Sequence, residues 1–116
     1  MKEQCQTLFK ETVEGLKQYN WEDSIAYGDF LAQSYFYVRH STRLLAVAAG
    51  LMKQEDQGLH QRYVKHISEE NAHELMIIKD LNALDQSIEQ YNEHPHTRAF
   101  WEPQYYKVQN LSLIHI

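Results

Sequence analysis

Cysteine is almost absent from this chain: Cys5 stands alone, which excludes an internal disulfide and any cysteine-rich metal site. No charged or catalytic pattern surrounds it, so it reads as a spectator. Two prolines and four glycines are all that punctuate 116 residues. There is no glycine-rich phosphate loop and no Gly-x-Ser-x-Gly elbow, which leaves kinase and hydrolase chemistry without residues. Basic stripes are missing too. With 11 basic against 16 acidic side chains and a formal charge of -5, neither nucleic acid nor an anionic membrane is an expected partner. The polar start from Met1 to Gln6 is not a signal peptide, and the apolar stretch Leu44 to Met52 is far too short to span a bilayer. A cytoplasmic location is therefore the default expectation.

What is present is helical periodicity, in a length that permits one domain. A first helix gathers Cys5, Leu8, Phe9, Val13 and Leu16 on one face and breaks at Asn20 to Ser24, where Asp23 or Ser24 can cap the next. The second helix, Ile25 to Lys53, carries a heptad seam through Leu31, Tyr35, Val38, Thr42, Leu45, Ala49 and Met52. A second stripe through Phe36, His40, Leu44, Val47 and Leu51 makes it apolar on two sides, as in a central bundle member. After the polar turn Gln54 to Gly58, a third helix runs from Leu59 to Leu84 and should pack antiparallel to the second. Asp85 to Pro95 is a polar connection with a short helical turn around Ile88 to Tyr91. Thr97 then reads as the N-cap of a fourth helix, irregular at Pro103.

The third helix holds the chemistry. Its apolar stripe, marked by Tyr63, Ile77, Leu81 and Leu84, is interrupted by His66, Glu69, Glu70 and His73. On a helix turning ~100° per residue, His66, Glu70 and His73 fall within ~60° of one another and Glu69 lies just beside them. A stripe that faces a core carries these groups inward, where an unpaired charge is costly and a divalent cation would satisfy them. Glu70-Asn71-Ala72-His73 is a Glu-x-x-His step, which sets a carboxylate and an imidazole one turn apart, as in the di-iron carboxylate bundles. The alternative is a solvated face with ordinary histidines. His66 can be a ligand or can donate to one, and Glu69 or Glu74 can face water. His40 reads as a packed, hydrogen-bonded residue, while His60, His94 and His96 flank turns and should be exposed. The tyrosines are mostly core or groove residues, with Tyr35 and Tyr63 the candidates for a substrate pocket.

The run Tyr27-Gly28-Asp29-Phe30-Leu31-Ala32-Gln33-Ser34-Tyr35-Phe36-Tyr37-Val38, then Ser41 to Leu45, then His66 to Leu75 with Lys79-Asp80-Leu81, resembles the haem-oxygenase-like all-helical superfamily. Within it the nearest branch is the iron-containing redox enzymes, the haem-oxygenase-like di-iron oxidases and oxygenases. His96 to Phe100 with Tyr105-Tyr106 also resembles that branch. The similarity covers about Asp23 to Val108, the first half of a family member. It implies an all-α bundle of about three long helices plus the start of a fourth. Glu70 and His73 would be ligands of non-haem iron, mononuclear or dinuclear, with no haem. His66 and Glu69 would be further ligands or their hydrogen-bonding partners, since His66 stands where some members place a Glu. The implied activity is O2 activation and oxidation of a small organic substrate.

Two sister groups share that fold. Thiaminase-like and PQQ-synthesis-like proteins are the alternative enzymes, but Ser34 replaces the Asp that usually follows Gln33 in thiaminases. Haem oxygenase needs a proximal histidine on its first helix, and none precedes His40. A metal-free binding or regulatory module is the alternative outside enzymes. The last six residues, Leu111 to Ile116, match the translation of a transposon-end adapter used in preparing sequencing libraries. Residues 1–110 are therefore expected to be the natural segment and 111–116 a non-native tail. Apolar faces left open on the second and third helices are expected to make the segment unstable or drive it to pair as a homodimer.

Overall fold

In the computed structural model, which describes residues 1–111, six α-helices and two 3-10 turns follow one another with no strand among the described residues. They are α1 (Lys2–Gln18), α2 (Ser24–Val38), α3 (Ser41–Leu51), α4 (Gln57–Glu70), α5 (His73–Ala83) and α6 (Pro95–Asn110). The turns are Gln54–Asp56 and Ile88–Gln90. The all-helical class follows from the periodicity, but two of the expected long helices are each divided. The helix expected from Ile25 to Lys53 breaks at Arg39 and His40, and the one from Leu59 to Leu84 breaks at Asn71 and Ala72. Neither break holds a proline or glycine. At the first, the His40 N–H donates to Tyr37, three residues back, at 3.1 Å, while the His40 side chain is tied to α6. That tightened turn redirects the helix axis.

The two divided helices pair as a hairpin: α3 lies against α4 and α2 against α5, so they run antiparallel as the short turn between them requires. α6 closes over α2 and α3. Its expected start moves upstream. Pro95 occupies the first turn with His94 as N-cap, and Thr97, expected as the cap, is buried inside the helix. The helix also continues through Pro103, because Trp101, Tyr105 and Val108 pack the turns on either side. Asp23 caps α2 as its sequence position suggests, accepting from the Ile25 N–H at 2.9 Å and the Ala26 N–H at 3.3 Å. The Ile88–Gln90 turn is closed by a reciprocal Ser87/Gln90 capping box.

The core is thin. Among the described residues its buried apolar side chains are Leu31, Ala32, Ala48, Ala49, Leu81 and Val108. α1 buries nothing, and Leu8, Phe9 and Leu16 on its apolar face are exposed. It is joined to the rest through the Trp21 indole, which donates to the Leu16 carbonyl at 2.7 Å, and the Tyr19 hydroxyl, which donates to Ala26. The chain exposes 8910 Å², whereas a compact monomer of its mass exposes about 6600 Å². Its radius of gyration is 17.0 Å, against about 13 Å for a close-packed chain of this length. Such an open arrangement leaves helix faces unpartnered. No helix among the described residues is long and apolar enough to cross a membrane.

Candidate metal centre

The break between α4 and α5 falls inside the Glu-x-x-His step, so Glu70 ends one helix and His73 begins the next. The step survives the break because Asn71 keeps right-handed helical angles and Ala72 departs from them only moderately. Glu70 sits between both histidines: His73 Nδ1–H donates to Oε2 at 2.8 Å and His66 Nε2–H donates to Oε1 at 3.3 Å. Three of the four candidate residues are thus brought together. Glu69 points elsewhere, toward Lys65 at 4.0 Å, with its side chain 61% exposed.

Burial differs from the sequence expectation. The inward line along α4 and α5 runs Tyr63, Ile67, Glu70, Glu74, Ile77 and Leu81, in steps of three and four. Glu70 is on that line at 24% exposure, while His66 at 54% and His73 at 49% flank it near the surface. The apolar residues chosen to mark the stripe include Leu84, which lies past the end of α5, and the true line is rotated toward the carboxylates. Glu74 therefore joins Glu70 as a half-buried carboxylate one turn on, a residue that the periodicity through Ile67 and Ile78 could have revealed. The cost of burying charge, which suggested a cation in the interior, applies to Glu70 and Glu74 and hardly to the histidines.

The donor chemistry suits a hard or borderline divalent ion, a carboxylate with imidazole nitrogen. Two neighbouring donors on one such ion, each ~2.0–2.2 Å from it, lie about 3 Å apart. The Glu70–His73 separation of 2.8 Å meets that spacing, and the Glu70–His66 separation of 3.3 Å is close to it. Yet the two histidines engage different oxygens of one carboxylate. Among the described residues no set of three or more histidine, cysteine, aspartate or glutamate side chains is arranged to hold an ion. What the geometry shows is one carboxylate held between two imidazoles by hydrogen bonds, His73 on Oε2 and His66 on Oε1.

The tyrosines separate. Tyr63 is half-buried and lies beside His66 on an α4 groove of about 440 Å³ with Leu59, Arg62, Lys65 and Glu69. It also borders a space of about 260 Å³ formed with Leu44, Leu45, Ala48, Gln104 and Val108. Tyr35 instead packs on Phe36, ring centroids 5.8 Å apart, with the Arg39 guanidinium 5.7 Å from its own ring. Its neighbour Tyr37 is the tyrosine that lines a groove between α2 and α6, about 390 Å³, with Phe30, Gln33, Ser34, His96, Thr97 and Phe100.

Beside that groove lies a polar network that the sequence did not disclose. Gln33 uses every polar valence of its amide: Nε2 donates to Asp29 Oδ1 at 3.2 Å and the Asn92 carbonyl at 2.9 Å, and Oε1 accepts from the His94 N–H at 3.0 Å and the Thr97 hydroxyl at 2.7 Å. His94, expected to be exposed, donates from Nε2 to the Asp29 carboxylate at 3.0 Å. His60, expected to be exposed as well, is half-buried and donates from Nδ1 to the Ala49 carbonyl at 2.7 Å, closing the end of α3. His96 is exposed as expected. The pairings of Gln33 and Asp29 with Asn92, His94 and Thr97 join positions about sixty residues apart, and no local pattern reports them.

No protein-family model, curated protein or solved structure matches the chain.

Proposed function

We propose that the chain supplies part of a non-haem iron site in an oxidase or oxygenase of the haem-oxygenase-like superfamily, acting on a small organic substrate and O2. One observation carries this reading: the Glu70 carboxylate meets His73 at 2.8 Å and His66 at 3.3 Å, at the break between two helices. A bound ferrous ion would supply one-electron chemistry toward O2. Glu70 and His73 would hold it, and further ligands would come from outside the pair. Glu70 contributes the negative charge, and His66 keeps its carboxylate from rotating away. In the metal-free protein His73 Nδ1 carries the proton that it donates to Glu70. Ligation at that nitrogen would require the proton to move to Nε2, so the hydrogen bond to Glu70 must open before an ion can be held there.

Support for the bundle reading comes from the all-helical hairpin of divided helices with α6 laid across it. The surface surplus over a compact monomer supports pairing of two copies through the open faces, which light scattering on the eluting protein would detect as a doubled mass.

Anaerobic titration with Fe(II), followed by oxygen consumption, tests the assignment. Glu70→Ala and His73→Ala should each weaken iron binding by at least tenfold, the scale of losing a ligand or its support. His66→Ala should weaken it less. Unchanged binding in the Glu70 and His73 variants sinks the ligand pair, and absence of iron binding altogether favours the metal-free helical module.

A further inference from the structure

His40 occupies the break between α2 and α3, and its ring is enclosed by α6. It stacks on the Trp101 indole with centroids 3.8 Å apart and planes 15° from parallel. Nδ1 shares a hydrogen bond with the Tyr105 hydroxyl at 2.7 Å, and the Tyr105 ring meets it edge-on. Nε2 is buried and has no hydrogen-bond partner among the described residues. Whichever nitrogen holds the proton of the neutral ring, Nδ1 keeps its hydrogen bond to Tyr105 while Nε2 gains none among the described residues. The indole N–H of Trp101 is itself engaged by Glu93, whose carboxylate lies 3.9 Å from Arg39.

A second proton has nowhere favourable to go. It would place a donor and a positive charge at Nε2, where no acceptor waits, beside two cations already present. The charged groups acting on the ring are Arg39 of the break, Arg43 of α3 and Glu93 ahead of α6, and Tyr105 is the titratable group of α6 in contact with it. Burial holds the His40 pKa below its ordinary value near 6.5, Arg39 and Arg43 add to that depression, and Glu93 opposes it.

We propose that His40 is an acid-sensitive latch that fastens α6 over α2 and α3 while neutral and releases it when protonated. Its release has a structural consequence beyond the ring. α6 carries Thr97 and Phe100, one wall of the groove whose other wall is Phe30, Gln33 and Tyr37. Freeing the helix at Trp101 and Tyr105 loosens the Phe100 end of that wall, while the Gln33–Thr97 hydrogen bond holds its other end, so the groove between α2 and α6 widens in acid.

The sign follows from linkage. In the unfolded chain His40 takes up a proton near pH 6.5, while in the folded chain it does so at lower pH. Its contribution to stability is therefore complete above about pH 6.5 and is lost as the pH falls toward the folded value. In a Trp21→Phe background, Trp101 is the sole indole. Its emission should shift to the red on acidification, with a midpoint below 6.5, and the imidazole C–H resonance of His40 should titrate at the same midpoint. His40→Gln should abolish the red shift over that range. Arg39→Gln removes a cation from beside the ring and should move the midpoint up toward 6.5, a test that needs only the natural histidine and remains decisive where the His40 variant fails to fold. A red shift that survives in His40→Gln, a His40 midpoint at or above 6.5, or a midpoint unmoved in Arg39→Gln overturns the latch.

Discussion

Two polar clusters with similar residues are built in opposite ways. The Glu70 cluster is local: His66 and His73 reach the carboxylate across four and three residues, and helical geometry alone brings them there. The Gln33 cluster is tertiary: it joins α2 to the segment entering α6 across some sixty residues and surrounds a buried Thr97 hydroxyl. The first leaves both histidines about half exposed and takes no bond from a distant helix among its hydrogen bonds. The second has each polar atom of Gln33 satisfied. A site that binds something is expected to look like the first, with donors held ready and room around them, whereas a clamp that fixes a helix looks like the second.

The contrast breaks most visibly at Gln33. Replacing it with alanine leaves the Thr97 hydroxyl, the His94 N–H and the Asn92 carbonyl without their partner, and the buried hydroxyl suffers most. The expected loss is about 2–3 kcal/mol, seen as a lower urea midpoint at unchanged m-value. A loss under about 0.5 kcal/mol would mean that water replaces the amide freely. Next in size is Gly28, on the same side of the molecule. It is buried, and a Cβ there would collide with the ends of Gln86 and Tyr91. Those ends are committed: Gln86 Nε2 donates to the Ser24 carbonyl at 2.9 Å, and the Tyr91 hydroxyl donates to Gln86 Oε1. Gly28→Ala should cost about 1–3 kcal/mol, and Gln86→Ala in the same chain should recover part of it by removing the obstacle, a coupling that a double-mutant cycle measures.

The same division explains what could be read from the chain. Helix class, the Asp23 cap, the Ile88–Gln90 turn and the Glu70–His73 pair depend on neighbours within four residues, and each was visible in spacing. The breaks at His40 and Ala72 were not, because no proline or glycine marks them. His40 is drawn aside by Trp101 and Tyr105, which lie more than sixty residues away. The role of His94 was missed for the same reason, and that of His60 because the Ala49 carbonyl reaches it across the turn between α3 and α4, outside any helical spacing. The orientation of the third helix was misjudged by one residue's rotation. Reading the stripe through Leu84 placed His66 and His73 inward beside Glu70, whereas the line through Ile67 and Ile77 keeps Glu70 inward and puts Glu74 there in place of the histidines.

Smaller effects are expected at the Glu70 cluster when stability is the readout. His73→Ala removes a half-exposed hydrogen bond between residues one turn apart, which should cost no more than about 0.5 kcal/mol. Iron affinity should fall at least tenfold in the same variant. A residue that matters to ligand binding and barely to folding is the signature of the first kind of cluster. Were His73→Ala to destabilise the protein as much as Gln33→Ala, the Glu70 cluster would belong with the clamps.

The smallest effect expected is the most discriminating. Glu69 and Glu70 are adjacent, so both offer a carboxylate near His66 and His73 in any reading from spacing alone. The structure separates them by direction: Glu70 turns to the histidines, and Glu69 turns out to Lys65 at 4.0 Å across two largely exposed side chains. Pairs of that kind contribute ~0–1 kcal/mol, so Glu69→Gln should leave the urea midpoint within about 0.5 kcal/mol of the parent and the Fe(II) affinity within twofold, while Glu70→Gln loses most of the affinity at nearly equal charge and shape cost. Removing one negative charge from the same helix turn in each variant controls for the general field, because both substitutions change the net charge equally. If Glu69→Gln weakened iron binding as strongly as Glu70→Gln, the ligand would be set by charge density on this turn rather than by the geometry around one carboxylate.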